Sequence, residues 1–226
     1  MRALRYHLPL FAILAVIFAL WQTPAVLPVK VLIVFLHELS HAIAAWLTGG
    51  SVLEISVNPA EGGFTVTRGG NAVAILTAGY LGSLLIGVGL LVVALRSDAD
   101  RLVLGIFGAV TLFVTLFYVR EPFAALFCGA SGLVLLAIAV FAGHRSSDLV
   151  LRIIGLSSVI YVPYDIFDDT IARSALPSDA RVLSETFGGP TVVWGGLWLA
   201  LSLAVIAWSL RHALAVPSTV RTYRPR

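Results

Sequence analysis

The sequence predicts an all-α polytopic membrane protein of about seven transmembrane helices with a small membrane-associated β-hairpin. Three observations predict it. Hydrophobic residues make up 59% of the 226 positions and charged residues only 12%, with a mean hydropathy of +0.97, a balance foreign to soluble globules. Apolar runs such as Leu8–Trp21, Ala72–Leu95 and Leu102–Val119 approach or exceed the roughly 20 residues that cross a bilayer at about 1.5 Å each. None alternates with the period of two that a membrane barrel requires, so a helical bundle must satisfy the backbone in lipid. The same composition excludes a water-soluble enzyme.

Taken in order, the chain opens with Met1–His7 and an apolar stretch that resembles a signal peptide, yet Gln22–Pro28 has no small-x-small cleavage pattern. A retained first helix over 7–23 is therefore expected. Further spans are expected at 27–48, 71–95, 101–119, 122–142, 149–172 and 190–213, each bounded by Pro, Gly or a charged residue. Arg120-Glu121-Pro122 joins two of them as a tight helical hairpin, with Pro at a helix start. Gly79, Gly82, Gly87 and Gly89, with Gly105/Gly108 and Gly129/Gly132, read as points where helix backbones approach closely. One segment departs from the pattern. Between Gly49-Gly50 and Gly69-Gly70, the β-formers Val52, Ile55 and Val57 and then Phe64–Thr67 flank Glu61-Gly62-Gly63, which predicts a β-hairpin over 51–68. Residues 1–215 thus form one transmembrane domain, and 216–226, with Arg221, Arg224 and Arg226, a solvated basic tail suited to anionic headgroups.

The 15 basic residues and a pI of 9.4 do not indicate nucleic acid, because Lys and Arg gather at termini and short loops as flanks of membrane spans do. The lipid bilayer is the expected partner. Cys128 is the single cysteine, so neither an intramolecular disulfide nor a thiolate zinc site is available. Any metal must be held by His and carboxylate.

Those residue types converge in the second span, where His37-Glu38-Leu39-Ser40-His41 forms an HExxH motif inside a helix. Spacing of four puts both imidazoles on one face, where they can hold one Zn²⁺, with Glu38 beside them as general base for a zinc-bound water. A chain with five His and five Glu matches this pattern by chance about 0.002 times. Three polar residues merely satisfying one another at membrane depth would also cost about 2.5–3.5 kcal/mol per charged group.

Two imidazoles need a third protein ligand and an open position. His7, His144 and His212 lie at span ends and read as solvated. Asp165, Asp168 and Asp169 share one helical face at i, i+3, i+4. Asp165, the deepest and just past Pro163, is the expected third ligand, Asp168 an alternative ligand or an acceptor that orients a ligating His, and Asp169 a solvated helix end. Three intervening helices make spans two and six parallel, which brings the His pair and Asp165 to similar depth.

These motifs resemble the site-2 protease family of intramembrane zinc metallopeptidases, in its small bacterial, plant and fungal branch. The likeness runs from about Val31 to Trp198 and rests on His37–His41, Ala44–Gly50, Ala78–Ser83, Asp165–Asp169 and Pro190–Gly195. It implies His37 and His41 as zinc ligands, Glu38 as catalytic base, an Asp from a later span as the completing ligand, and a hairpin at Ser51–Arg68 whose edge pairs with unwound substrate. Val52, Ile55 and Val57 mark the candidate substrate strand. Two features depart from the well-known members. Asp165 is followed by Ile166 rather than standing in an LDG-type motif, and Gly79-Tyr80-Leu81-Gly82-Ser83 replaces a Gly-Pro-x-x-Asn element.

The expected function is therefore intramembrane zinc metalloendopeptidase activity: cleavage of a peptide bond in or near the transmembrane helix of a membrane-protein substrate, by attack of zinc-activated water. The competing function is a non-proteolytic zinc-binding scaffold that sequesters a partner protein. Retention of Glu38, which a scaffold does not need, favours the enzyme. The expected location is the cell membrane, as a multi-pass protein.

Overall fold

The computed structural model describes residues 8–174 and 177–214. His7 and the basic tail over 216–226 lie outside the described residues. Helices α1 (Leu8–Leu20) and α2 (Leu27–Leu47) lead into strands β1 (Ser51–Val57) and β2 (Gly63–Arg68). There follow α3 (Ala72–Arg96), α4 (Asp100–Tyr118), α5 (Pro122–Ala137), a π-helical turn at Ile138–Ala142, and α6 (Gly143–Phe167). A second π turn at Asp168–Ala172, the short α7 (Asp179–Phe187) and α8 (Thr191–Leu214) complete the chain. The helical bundle and the hairpin are thus as the sequence predicts. The helix α7 was not expected.

Among the described residues, five helical runs are long and apolar enough to cross a membrane: Leu27–Leu47, Ala72–Arg96, Asp100–Tyr118, Pro122–Ala172 and Thr191–His212. The expected spans at 122–142 and 149–172 are one helical run, redirected inside it at Gly143, where φ is +80°. Only a residue without Cβ adopts that conformation freely. The π turn ahead of it loosens the hydrogen-bond ladder, and Arg101 donates to the carbonyls of Ala139 and Val140 there.

Helix α3 is the centre of the bundle and packs on α2, α6 and α8. Apolar side chains gain little by leaving lipid, so helix association in a membrane depends on close van der Waals contact between small residues. At the α3–α6 crossing, a Cβ added to Gly155 would meet the Gly87 carbonyl at 2.8 Å and the Leu91 Cβ at 2.7 Å. At the α2–α3 crossing, a Cβ on Gly82 would meet the Ser40 Cβ at 2.7 Å. Gly79, Gly82, Gly87, Gly108 and Gly132 are thus close contact points, as expected, whereas Gly105 and Gly129 have only ordinary van der Waals neighbours and Gly89 faces open space.

The hairpin lies against this core as an antiparallel pair with Ile55 opposite Thr65 and Val57 opposite Gly63, and an irregularity between Val52 and Glu54. Its turn is held by Asn58, whose Oδ1 accepts from the amides of Ala60 and Gly62. Lys30, buried in α2, pairs with Glu61 at 3.2 Å and ties the turn to the helix.

Candidate metal centre

Helix α2 begins with Pro28 in its first turn and carries an apolar stretch, Val31–Leu36, that is buried on every side. The helix is therefore rigid where the HExxH motif starts. His37 and His41 sit one turn apart with ring centroids 4.7 Å from each other. His41 Nδ1 lies 2.7 Å from the Ile75 carbonyl on α3. A carbonyl only accepts, so Nδ1 carries the proton and Nε2 keeps its lone pair for a metal. Behind His37 stands Tyr80, edge-on at 4.7 Å, itself backed by Trp198 of α8 at 5.2 Å.

The third donor comes from α7. Asp179 Oδ2 lies 3.0 Å from His37 Nε2 and 3.2 Å from His41 Nε2. His37, His41 and Asp179 each offer one ligand atom, all within 4.8 Å of one another, and form the one such cluster among the described residues. Two imidazole nitrogens and a carboxylate oxygen with a fourth side open suit a tetrahedral divalent ion. Gly79 makes room for it: a Cβ there would run into His37 Nε2 and come within 2.6 Å of His41 Nε2. The Asp179 carboxyl is held well below the usual carboxylate range. Burial alone would push it up, and the two imidazoles beside it outweigh that.

Asp179 is set by local chemistry of its own. Ser178 caps α7, its Oγ accepting from the Arg181 amide at 3.3 Å, and Ala180 and Leu183 anchor the helix in the core. Gly188 and Gly189, both at positive φ, turn the chain back into α8, and Trp194 Nε1 donates to the Gly188 carbonyl at 3.1 Å. Gly195 lies directly against Thr170 of the second π turn. The Pro190–Gly195 stretch thus seats α7 between the π turn and α8.

A cavity of about 480 Å³ opens on the cluster, lined by Glu38, Tyr80, Asp165, Asp169, Arg173 and the inner side of β2. Asp165, the expected third ligand, borders this cavity but stands outside the cluster. Asp179 joins the His pair in the cluster because the chain leaves α6 through the π turn and returns over the His pair with α7. Asp168 does not orient a ligating His either. It pairs with Arg173, whose Nε donates to it at 2.6 Å, while the Ile75 carbonyl orients His41. Asp169, expected as a solvated end, accepts from the Tyr80 hydroxyl at 2.7 Å. Val52, Ile55 and Val57 point into the core, and the residues facing the cavity belong to β2. Asp179 is less legible in the sequence than Asp165, because its local setting, Ser178-Asp179 at a short helix start, carries only a capping signal.

An apolar helical bundle with an HExxH helix and a third acidic donor in one cavity defines a membrane metallopeptidase class of site. The chain belongs to the Peptidase M50B-like family, a site-2 protease family, which matches residues 10–209. Among curated proteins and among solved structures, none matches. With five apolar runs and this family, the protein is an integral membrane protein.

Proposed function

We propose that the protein is an intramembrane zinc endopeptidase of the cell membrane that cleaves a membrane-protein substrate in or near a transmembrane helix. The observation that carries this reading is Glu38 in the same cavity as the His37, His41 and Asp179 donors. His37 and His41 through Nε2, and Asp179 through its carboxylate, would hold the zinc. Zinc supplies Lewis acidity, polarising the scissile carbonyl and lowering the pKa of a water. Glu38 takes the proton of the attacking water and returns it to the leaving amine. Among the described residues the outer edge of β2 has no strand partner, and an unwound substrate segment can add to it beside the cavity. The cavity lining favours β2 over β1 as the pairing strand, since Gly63, Phe64, Thr65 and Thr67 border the cavity. A scaffold that only bound zinc would have no use for a buried carboxylate at Glu38.

The test is reconstitution in liposomes with a panel of single-span membrane reporters. Expected results are a single zinc per chain, cleavage that stops when a chelator strips it, and recovery on adding zinc back. A zinc-loaded protein that binds a reporter and never cuts it would support the scaffold instead.

Gly79→Ala gives a second expected outcome. The new methyl group would occupy space that the two imidazole nitrogens border, so zinc affinity should fall by at least about tenfold, a loss on the scale of disturbing a ligand's immediate support. Metal titration against a competing chelator checks it, and wild-type affinity would show that the site lies elsewhere.

A further inference from the structure

The hairpin reaches Glu38 with a side chain as well as with backbone. Thr65 of β2 places its Oγ1 2.7 Å from Glu38 Oε2 and 3.0 Å from the Glu38 main-chain carbonyl. A hydroxyl has one proton, and the closer acceptor is the carboxylate, where a charged acceptor strengthens the bond. The other carboxylate oxygen meets a different environment. A Cβ added to Gly63, two residues earlier on the same strand, would come within 2.6 Å of Glu38 Oε1 and 2.9 Å of its Cγ. One strand therefore gives Oε2 a donor and, at Gly63, leaves the space beside Oε1 free of a side chain.

We propose that Thr65 is a positioning residue that grips Glu38 by Oε2 and so presents Oε1 to the attacking water. The proposal deepens the proteolytic reading and rests on it. A Glu side chain turns about three bonds, and only its anchored end is fixed by α2. With Oε2 tied to β2, rotation about the last bond is arrested and one oxygen is selected. The strand that offers an edge to substrate is then also the strand that aligns the base, and a substrate segment pairing with β2 steadies the grip on Glu38.

The test compares Thr65→Val, which keeps the shape and loses the hydroxyl, with Thr65→Ser, which keeps the hydroxyl. Misplacement of a reacting group by about 1 Å costs up to roughly a hundredfold in rate. Thr65→Val should accordingly lower kcat by about tenfold or more, with KM and zinc content near wild type, and Thr65→Ser should recover most of the rate. Wild-type kcat in Thr65→Val, or a Thr65→Ser variant as slow as Thr65→Val, overturns the proposal.

Amide hydrogen exchange over Gly63–Arg68, in a cycle of Thr65→Val and Glu38→Ala, gives a readout that needs no turnover. Coupled losses of protection support the grip, and strictly additive losses overturn it. If the zinc-loaded wild type cleaves no reporter, the proteolytic reading fails by that result, and the exchange cycle still decides whether Thr65 holds Glu38.

Discussion

Glu38→Gln should leave a folded, zinc-loaded protein whose turnover falls by at least about two orders of magnitude, the contribution expected of a positioned general base. The amide keeps the length and shape of the side chain, and Thr65 Oγ1 can still donate to its carbonyl oxygen in place of Oε2. The proposed metal donors are His37, His41 and Asp179, so zinc content should not change. What the amide cannot do is accept the proton of the attacking water. Single-turnover cleavage of a reconstituted reporter, measured beside zinc stoichiometry, separates the two roles. Unchanged turnover would remove Glu38 from the reaction, and loss of zinc with loss of turnover would make Glu38 a ligand.

Asp179→Ala carries the other large effect. Removing it leaves two imidazoles, with water to fill the remaining positions, and zinc affinity should drop by more than the roughly 10–100-fold typical of losing a supporting partner. Asp165→Ala should keep its zinc, because Asp165 borders the cavity without joining the donor cluster. A chelator series over both variants decides it. Zinc retained by Asp179→Ala and lost by Asp165→Ala would return the ligand to the end of α6. In the wild type, uptake should have an acidic limit, because an imidazole must lose its proton to bind metal and protons compete with the ion as pH falls. Asp179 does not set that limit, since its carboxyl stays ionised well below the usual range.

The sequence by itself determined the bundle, the hairpin and one half of the candidate site. Composition decides that the chain lies in lipid, because only closed backbone hydrogen bonding survives there. His37, Glu38 and His41 are legible because helical spacing is a local rule, and residues four apart share a face whatever the helix packs against. The hairpin is legible for the same reason: its β-formers and its Gly-rich turn are neighbours in the chain. The third donor obeys no local rule. Asp179 stands 142 residues after His37, and its nearness depends on the π turn after α6, the seating of α7 against α8, and the close crossing of α2 and α3 that Gly79 and Gly82 permit. Asp165, Asp168 and Asp169 gather at the end of α6 and the π turn after it, yet none joins the donor cluster: Asp168 pairs with Arg173, Asp169 accepts from Tyr80, and Asp165 only borders the cavity. β-formers likewise mark Val52, Ile55 and Val57 as strand residues without telling which side faces the cavity, and Val52 joins the buried face of Ile55 and Val57 only through the irregularity between Val52 and Glu54. Only the packing of β1 against the core decides that β2 confronts Glu38, since orientation toward a site is a property of elements placed against each other, and local periodicity carries no record of it.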